Sequence, residues 1–311
     1  MRQEDFYFLS SDQKTKLHAV KWMPDEKGYH AILQITHGMQ EYIGRYREFA
    51  EYFVKKGFLV VGHDCLGHGD SVQDVDEYGF FSEKHPSGTL IRDMHTFRML
   101  VQKENKGKPY FMLGHSMGSY MLRKYITRYS KGLSGAVIVG TGCMPDRLMR
   151  VGMGICRALA KRYGWHYRSR FVKALSFMGP YRQYDVTGQA IEKNWLTKDL
   201  RIARAFYKDP KCCFDFTVNG YYGLMEAVYY DNQVKNVLKV SKDLPILIVS
   251  GDKDPVGDMG KGTIKVYRQY KKAGITDLSL KLYAGDRHEI LNETDRKAVY
   301  SDIYKWVYKH T

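Results

Sequence analysis

The sequence predicts an α/β fold: one mostly parallel sheet with helices on both faces and a helical segment inserted late in the chain. Three observations carry that expectation. Short apolar runs alternate with amphipathic stretches up to residue 143 and again from residue 244 onward, as buried strands joined by helices require. After residue 143 the alternation stops, and about 70 residues rich in Arg, Lys, Met, Phe and Tyr follow. The chain has 311 residues, 44% of them apolar, enough to bury a substantial core.

Residues 6–9 (FYFL), 17–23 (LHAVKWM) and 31–36 (AILQIT) read as the first strands. A helix follows over 45–56, closed by Gly57, and the run FLVVGHD at 58–64 is apolar enough for a strand covered on both faces. A helix at 89–104, a strand at 110–114, a helix at 117–129 and a strand at 133–140 complete the first half. After the insertion come a strand at 244–251, a helix at 259–273, a strand at 278–285 and a helix at 293–309. The expected division is a core of residues 1–143 and 216–311 carrying a helical cap of 144–215. No internal repeat or low-complexity linker interrupts this order.

Composition excludes several classes. No run of roughly 18 apolar residues is present, and the N-terminal residues lack a basic start, an apolar stretch and a small-residue cleavage site. The expectation is a soluble, cytoplasmic protein. The five cysteines, Cys65, Cys143, Cys156, Cys212 and Cys213, form no CxxC pair, so neither a disulfide framework nor a zinc site is indicated. No cluster of metal ligands or phosphate-loop pattern stands out, and no cofactor is expected.

The strongest chemical signal is Gly114-His115-Ser116-Met117-Gly118, where an apolar strand turns into a helix. A serine held on such a turn sits in strained backbone geometry, and small residues two places to either side let strand and helix approach. Its hydroxyl needs an imidazole base, and the imidazole needs a carboxylate to fix its tautomer. The loop after the strand at 244–251 reads Gly251-Asp252-Lys253-Asp254-Pro255, and the loop after 278–285 reads Asp286-Arg287-His288-Glu289. Both leave the carboxyl ends of strands, where open α/β sheets place their sites. Asp254 is the preferred acid, with Asp252 and Asp258 as rivals, and His288 is the preferred base. The backbone N–H groups of Met117 and of Met39, in His37-Gly38-Met39, are the candidate oxyanion donors. The expected side chain of His115 points away from this site.

With these residues in view, the chain resembles α/β-hydrolases of the monoglyceride lipase and lysophospholipase type, often described as serine aminopeptidase-like. The resemblance lies in His37-Gly38-Met39-Gln40-Glu41-Tyr42 followed by Arg45-Tyr46, in Asp64-Cys65-Leu66-Gly67-His68-Gly69-Asp70-Ser71, in the GHSMG turn, in Gly251-Asp252-Lys253-Asp254, and in His288-Glu289-Ile290-Leu291-Asn292-Glu293. It implies Ser116, Asp254 and His288 as the catalytic set, and a mainly structural role for the Asp64–Ser71 loop and its His68. It also implies hydrolysis of a lipid or other hydrophobic ester through an acyl-enzyme. A peptidase or general carboxylesterase of the same fold is the alternative, and a non-catalytic binding protein on this scaffold is a more distant one.

The formal charge is +15, and residues 144–211 hold fifteen Lys or Arg against five Asp or Glu. On a helical wheel Arg147, Arg150, Arg157 and Lys161 fall opposite Leu148, Met149, Met153, Ile155, Cys156 and Leu159. A basic amphipathic cap helix is expected, suited to peripheral contact with an anionic membrane, with Met149, Met153, Phe177 and Met178 as candidates to line an acyl channel. Nucleic acid is not expected, because no recognition motif accompanies the charge.

Overall fold

The computed structural model describes residues 1–25 and 28–311. Eight strands form a single sheet: β1 (Arg2–Leu9), β2 (Lys16–Met23), β3 (Ala31–Thr36), β4 (Phe58–His63), β5 (Tyr110–His115), β6 (Gly135–Val139), β7 (Ile246–Gly251) and β8 (Leu278–Tyr283). Their order is β1-β2-β4-β3-β5-β6-β7-β8, with β2 antiparallel to both neighbours and every other pair parallel. Among the described residues ten α-helices accompany them: α1 (Arg47–Val54), α2 (Pro86–Glu104), α3 (Met117–Tyr129), α4 (Asp146–Tyr163), α5 (Arg170–Ser176), α6 (Leu200–Lys208), α7 (Val218–Asn232), α8 (Val234–Val237), α9 (Lys261–Lys272) and α10 (Arg296–Lys309).

The predicted mostly parallel sheet is present, and its central strands are buried along their whole length. Successive residues of a strand point to opposite faces, and the two apolar layers follow from that. On one face Ile32, Met112, Ile138 and Ile248 pack against Ile91, Met94, Phe97, Met121 and Val266. On the other, Leu33, Leu113, Val137 and Val249 pack against Phe49, Phe53, Tyr300 and Ile303. Each such fully buried side chain contributes roughly 1.5–3 kcal/mol, so the sheet is the rigid element from which the loops are hung.

Element boundaries differ from the sequence expectation for identifiable reasons. β1 starts at Arg2 because it is the edge strand of a hairpin with β2, so backbone pairing extends over residues that bury little. The helix expected from 89 begins at Pro86, which fits a first helical turn because it lacks the N–H that has no acceptor there. The helix expected from 293 begins at Arg296, because the buried Glu293 carboxylate is committed to loops, accepting from the N–H groups of Arg287 (2.8 Å) and Lys198 (2.9 Å). Gly57 closes the turn after α1 at φ 81°, a left-handed conformation that favours glycine.

Between β6 and β7 no strand joins the sheet, and α4–α8 occupy this stretch. Helix α4 packs along α7, and α7 packs on α2 and α3. The sidedness of α4 departs from the wheel. Met149, Met153 and Cys156 are buried, whereas Leu148 is 54% exposed, beside an equally exposed Val151. The buried stripe is narrower than expected because α4 meets its neighbour mainly through α7, with Gly152 set against Met225.

Candidate active site

Ser116 stands between the end of β5 and the start of α3 with φ 54° and ψ −120°, a strained conformation for a side-chain-bearing residue. The flanking glycines are sterically required. A Cβ on Gly114 would lie 2.3 Å from the carbonyl oxygen of Gly118, and one on Gly118 would lie 2.2 Å from that of Thr36. The turn is pinned by the Ser116 N–H, which donates to the Val139 carbonyl at 3.0 Å, and by Ser119 Oγ, which donates to the Ser116 carbonyl at 2.6 Å.

The loop after β3 passes directly over this turn, since a Cβ on Gly38 would come within 2.9 Å of Ser116 Cβ. His37 sets the orientation of that loop. Its Nε2 accepts from the Cys65 N–H at 2.9 Å, so the ring proton is on Nδ1, which donates to the Gly38 carbonyl at 2.8 Å. Drawing the Gly38 carbonyl to one side turns the Met39 N–H to the other, because the peptide is planar. Among the described residues neither Met39 N–H nor Met117 N–H has an acceptor, and the latter is in the first turn of α3, where none is available within the helix.

His288 and Asp254 meet in the loops after β8 and β7. Nδ1 of His288 lies 2.9 Å from Asp254 Oδ1, and both residues are almost wholly buried. The same Oδ1 accepts from the Val256 N–H at 2.8 Å, and Oδ2 accepts from Ser250 Oγ at 3.0 Å. Burial alone would raise the Asp254 carboxyl, but the His288 charge and these hydrogen bonds outweigh it and hold the group below the usual carboxylate range. The other imidazole nitrogen, Nε2, is buried with no partner among the described residues. The ring lies against Gly140, at the end of β6, where a Cβ would come within 3.1 Å of it. Ser116 is bonded to the preceding residue, Val139, so serine and histidine converge on one strand end.

The two rival acids are placed elsewhere. Asp252 accepts from the Gly285 N–H at 2.8 Å and so ties two turns together. Asp258 is an exposed residue at φ 49° just ahead of α9. Among the described residues, the group nearest to a metal site is His18, Asp64 and Asp70. There Asp64 accepts from the N–H groups of Ile43 and Asp70 and pairs with His18, which is the chemistry of a loop anchor.

A model of the family described as serine aminopeptidase, S33, matches residues 28–295. The chain belongs to that family. It is therefore a serine hydrolase, and two curated relatives align with most of it. It is 24% identical to a monoacylglycerol lipase of Mycolicibacterium smegmatis, over 93% of this chain and 91% of the relative. It is 26% identical to the monoglyceride lipase of Homo sapiens, over 90% of this chain and 83% of the relative. Among solved structures, a thermostable carboxyl esterase from Bacillus coagulans in complex with glycerol superposes with a TM-score of 0.88 at 28% identity, covering 99% of each chain.

Around the site, the hydrolase contains a buried charge network whose roles the sequence reading left unassigned. Arg45 forms a bidentate pair with Glu289 (2.8 and 2.7 Å) and also bonds Glu41 at 2.7 Å. Glu41 in turn accepts from the Gly38 N–H at 2.5 Å and from Tyr46, and pairs with His115 Nδ1 at 3.0 Å. Burial would raise the Glu41 carboxyl, yet His115 and Arg45 hold it well below its ordinary value. Burial would lower His115, but Glu41 raises it. His115 does not reach solvent. Its ring packs 4.7 Å from that of His288 and its Nε2 lies 3.4 Å from the His288 carbonyl, so it supports the candidate base from behind. Trp195 stacks on the His288 ring at 5.0 Å, and Tyr181 and Phe177 continue that aromatic wall. Of the other pocket candidates, Met149 and Met153 are buried on α4, while Met178 is 47% exposed. Glu41 and Glu289 stand inside the motifs that carry the resemblance but have no role assigned by sequence, and Trp195 has no local signal at all.

Proposed function

We propose that this hydrolase cleaves carboxylic esters of lipid type, with monoacylglycerols as the first substrate class and lysophospholipids as the second. The observation that carries the reading is the buried Asp254–His288 pair, whose free Nε2 converges with Ser116 on the end of β6. In this reading Ser116 Oγ attacks the ester carbonyl while His288 Nε2 removes its proton. Asp254 keeps the other ring proton on Nδ1 and stabilises the imidazolium. The Met39 and Met117 N–H groups receive the oxyanion, and the imidazolium returns its proton to the leaving alcohol. Water, activated by the same nitrogen, then releases the carboxylic acid and restores Ser116. The names of the relatives support an ester with a glycerol headgroup, and the aromatic wall beside His288 suits an apolar acyl chain.

Residues 144–215 act in this reading as a cap over the site. Leu148, Val151, Phe171, Leu175 and Met178 are exposed among Arg147, Arg150 and Arg170, a composition suited to peripheral contact with an anionic lipid surface. Among the described residues no helix is long and apolar enough to cross a membrane.

The test is fluorophosphonate labelling of the wild type and of Ser116→Ala, followed by hydrolysis of monoacylglycerols, lysophospholipids, p-nitrophenyl esters and aminoacyl amides. Labelling that persists in Ser116→Ala overturns the nucleophile. Faster turnover of amides than of any ester overturns the substrate class. Sedimentation with anionic and neutral vesicles, using the wild type and Leu148→Ser/Phe171→Ser, tests the cap.

A further inference from the structure

Away from Ser116 the protein carries an open cavity of about 660 Å³ between the N-terminus of α2, the middle of α3, the end of α7 and α8. Arg92, Lys124, Arg128, Lys235 and Lys239 line it, with Glu226 as the single carboxylate among its lining residues. Glu226 is already engaged. It accepts from Ser87 Oγ and lies 3.7 Å from the buried Lys124 Nζ, which itself donates to Ser87 Oγ at 2.6 Å. Lys124 and Glu226 therefore neutralise one another. Among the described residues none of the remaining four cations has a carboxylate within 4.0 Å.

Four uncompensated cations in one concavity repel each other, and their fields add over its mouth. The side chains are also partly held in place. Arg92 Nη2 donates to Thr89 Oγ1 at 2.9 Å, Arg128 lies over the Tyr230 ring at 5.8 Å, and Lys239 Nζ donates to Asn236 Oδ1 at 3.2 Å. The backbone adds the same sign. Helix α2 is 19 residues long, has no acidic residue in its first turn, and brings Gly88, whose N–H has no acceptor among the described residues, to the cavity wall.

We propose that this cavity is a second binding site, for a small, multiply charged anion of phosphate type such as a polyphosphate or a phosphate ester. Two guanidinium groups favour oxyanions that accept paired hydrogen bonds, and a single carboxylate would leave most of the charge unmatched. The volume is that of a small-molecule site. Lys124 is eight residues along α3 from Ser116, about 12 Å at the helical rise, so the site is separate from the ester-cleaving one and does not depend on its chemistry.

The experiment is calorimetric titration of the full chain with pyrophosphate, inorganic phosphate and chloride at matched ionic strength. Pyrophosphate binds with at least tenfold higher affinity than phosphate, and chloride shows no saturable heat. The double variant Arg92→Gln/Arg128→Gln loses at least tenfold in pyrophosphate affinity. Lys261→Gln/Lys265→Gln, which removes the same charge from exposed positions on α9, keeps it. Retained hydrolysis of p-nitrophenyl butyrate shows that both variants are folded, and Ser116→Ala binds pyrophosphate as the wild type does. Phosphatidic acid vesicles provide the second arm. Vesicle binding that pyrophosphate displaces and the Arg92/Arg128 variant loses assigns a lipid headgroup, whereas pyrophosphate binding without vesicle binding assigns a soluble ligand. Absence of saturable pyrophosphate binding at 5 mM, or equal losses in the two double variants, overturns the site.

Discussion

Replacing Asp254 by asparagine separates two things the carboxylate can do for His288: fix its tautomer and supply negative charge. Oδ1 of Asp254 accepts from both the Val256 N–H and His288 Nδ1, while Oδ2 faces a hydroxyl, Ser250 Oγ. A hydroxyl can accept as well as donate. The asparagine amide therefore has one satisfied orientation, with its oxygen in the Oδ1 position and its NH₂ turned toward Ser250. In that orientation His288 still donates from Nδ1 and keeps Nε2 free, so the tautomer survives and only the charge is lost. Two unit charges about 4 Å apart at an effective dielectric of 20 interact by about 4 kcal/mol. Asp254→Asn should then lower kcat by about three powers of ten with KM nearly unchanged, whereas Asp254→Ala, which strands three donors, should also lose stability. The assay is steady-state hydrolysis of a p-nitrophenyl ester, with the ring tautomer read from ¹⁵N shifts of His288. A loss below tenfold in Asp254→Asn would refute the assignment of Asp254 as the acid. A proton found on Nε2 would refute the argument from Ser250.

Three other perturbations probe the scaffold. Gly118→Ala forces a Cβ to within 2.2 Å of the Thr36 backbone oxygen, so the elbow cannot form, and loss of both soluble yield and fluorophosphonate labelling is expected; a folded, labelled variant would contradict the steric argument. Glu41→Gln removes a charge from a buried network of Arg45, His115 and Glu289 and should cost about 3–5 kcal/mol in denaturant unfolding, with a change under 1 kcal/mol counting against the network. Asp93 is pushed up to about 6 by burial, against hydrogen bonds from Ser11 and Ser10. The unfolded chain releases this proton near 3.8 and the folded chain only near 6, so stability falls between those pH values, by about 3 kcal/mol. Asp93→Asn, whose amide can keep both serine contacts, should flatten that part of the stability profile, as thermal melts from pH 3.5 to 7.5 would reveal.

Much of the frame is legible in the sequence because burial on both faces writes strands as near-continuous apolar runs. FLVV at 58–61 and ILIV at 246–249 are such runs, and the elbow is marked by glycines that nothing larger can replace. What is less legible depends on contacts between distant segments. β1 is a strand through backbone pairing with β2 and not through its own pattern. Glu293 interrupts the start of α10 because its carboxylate is used by residues 197, 198 and 287. Trp195 comes to rest on His288 from the middle of the insertion, where no periodicity points to it. His115 was expected simply to face away, yet its neighbour in space is the candidate base itself.

The positive charge shows the same limit most clearly. Counted along the chain, the excess lies in residues 144–211. In space, part of it is spent on ion pairs, with the core (Lys198 with Asp286 at 2.6 Å, Lys211 with Asp70 at 2.5 Å) and within the insertion (Lys173 with Asp215). The concave concentration lies instead on α2, α3, α8 and the turn after α8, in segments whose composition looked unremarkable because each contributes only one or two cations. Field strength depends on how charges share a low-dielectric surface and not on how many follow one another in sequence. The exposed arginines of α4 have water on most sides, and salt screens them accordingly. The four cations around the cavity are exposed as well, but they converge on one concavity and flank an anion there from several sides, so salt competes less effectively for it. Raising salt from 50 to 500 mM should therefore weaken vesicle binding through the cap more steeply than pyrophosphate binding in the cavity. Equal salt slopes would place both on the open surface and remove the distinction.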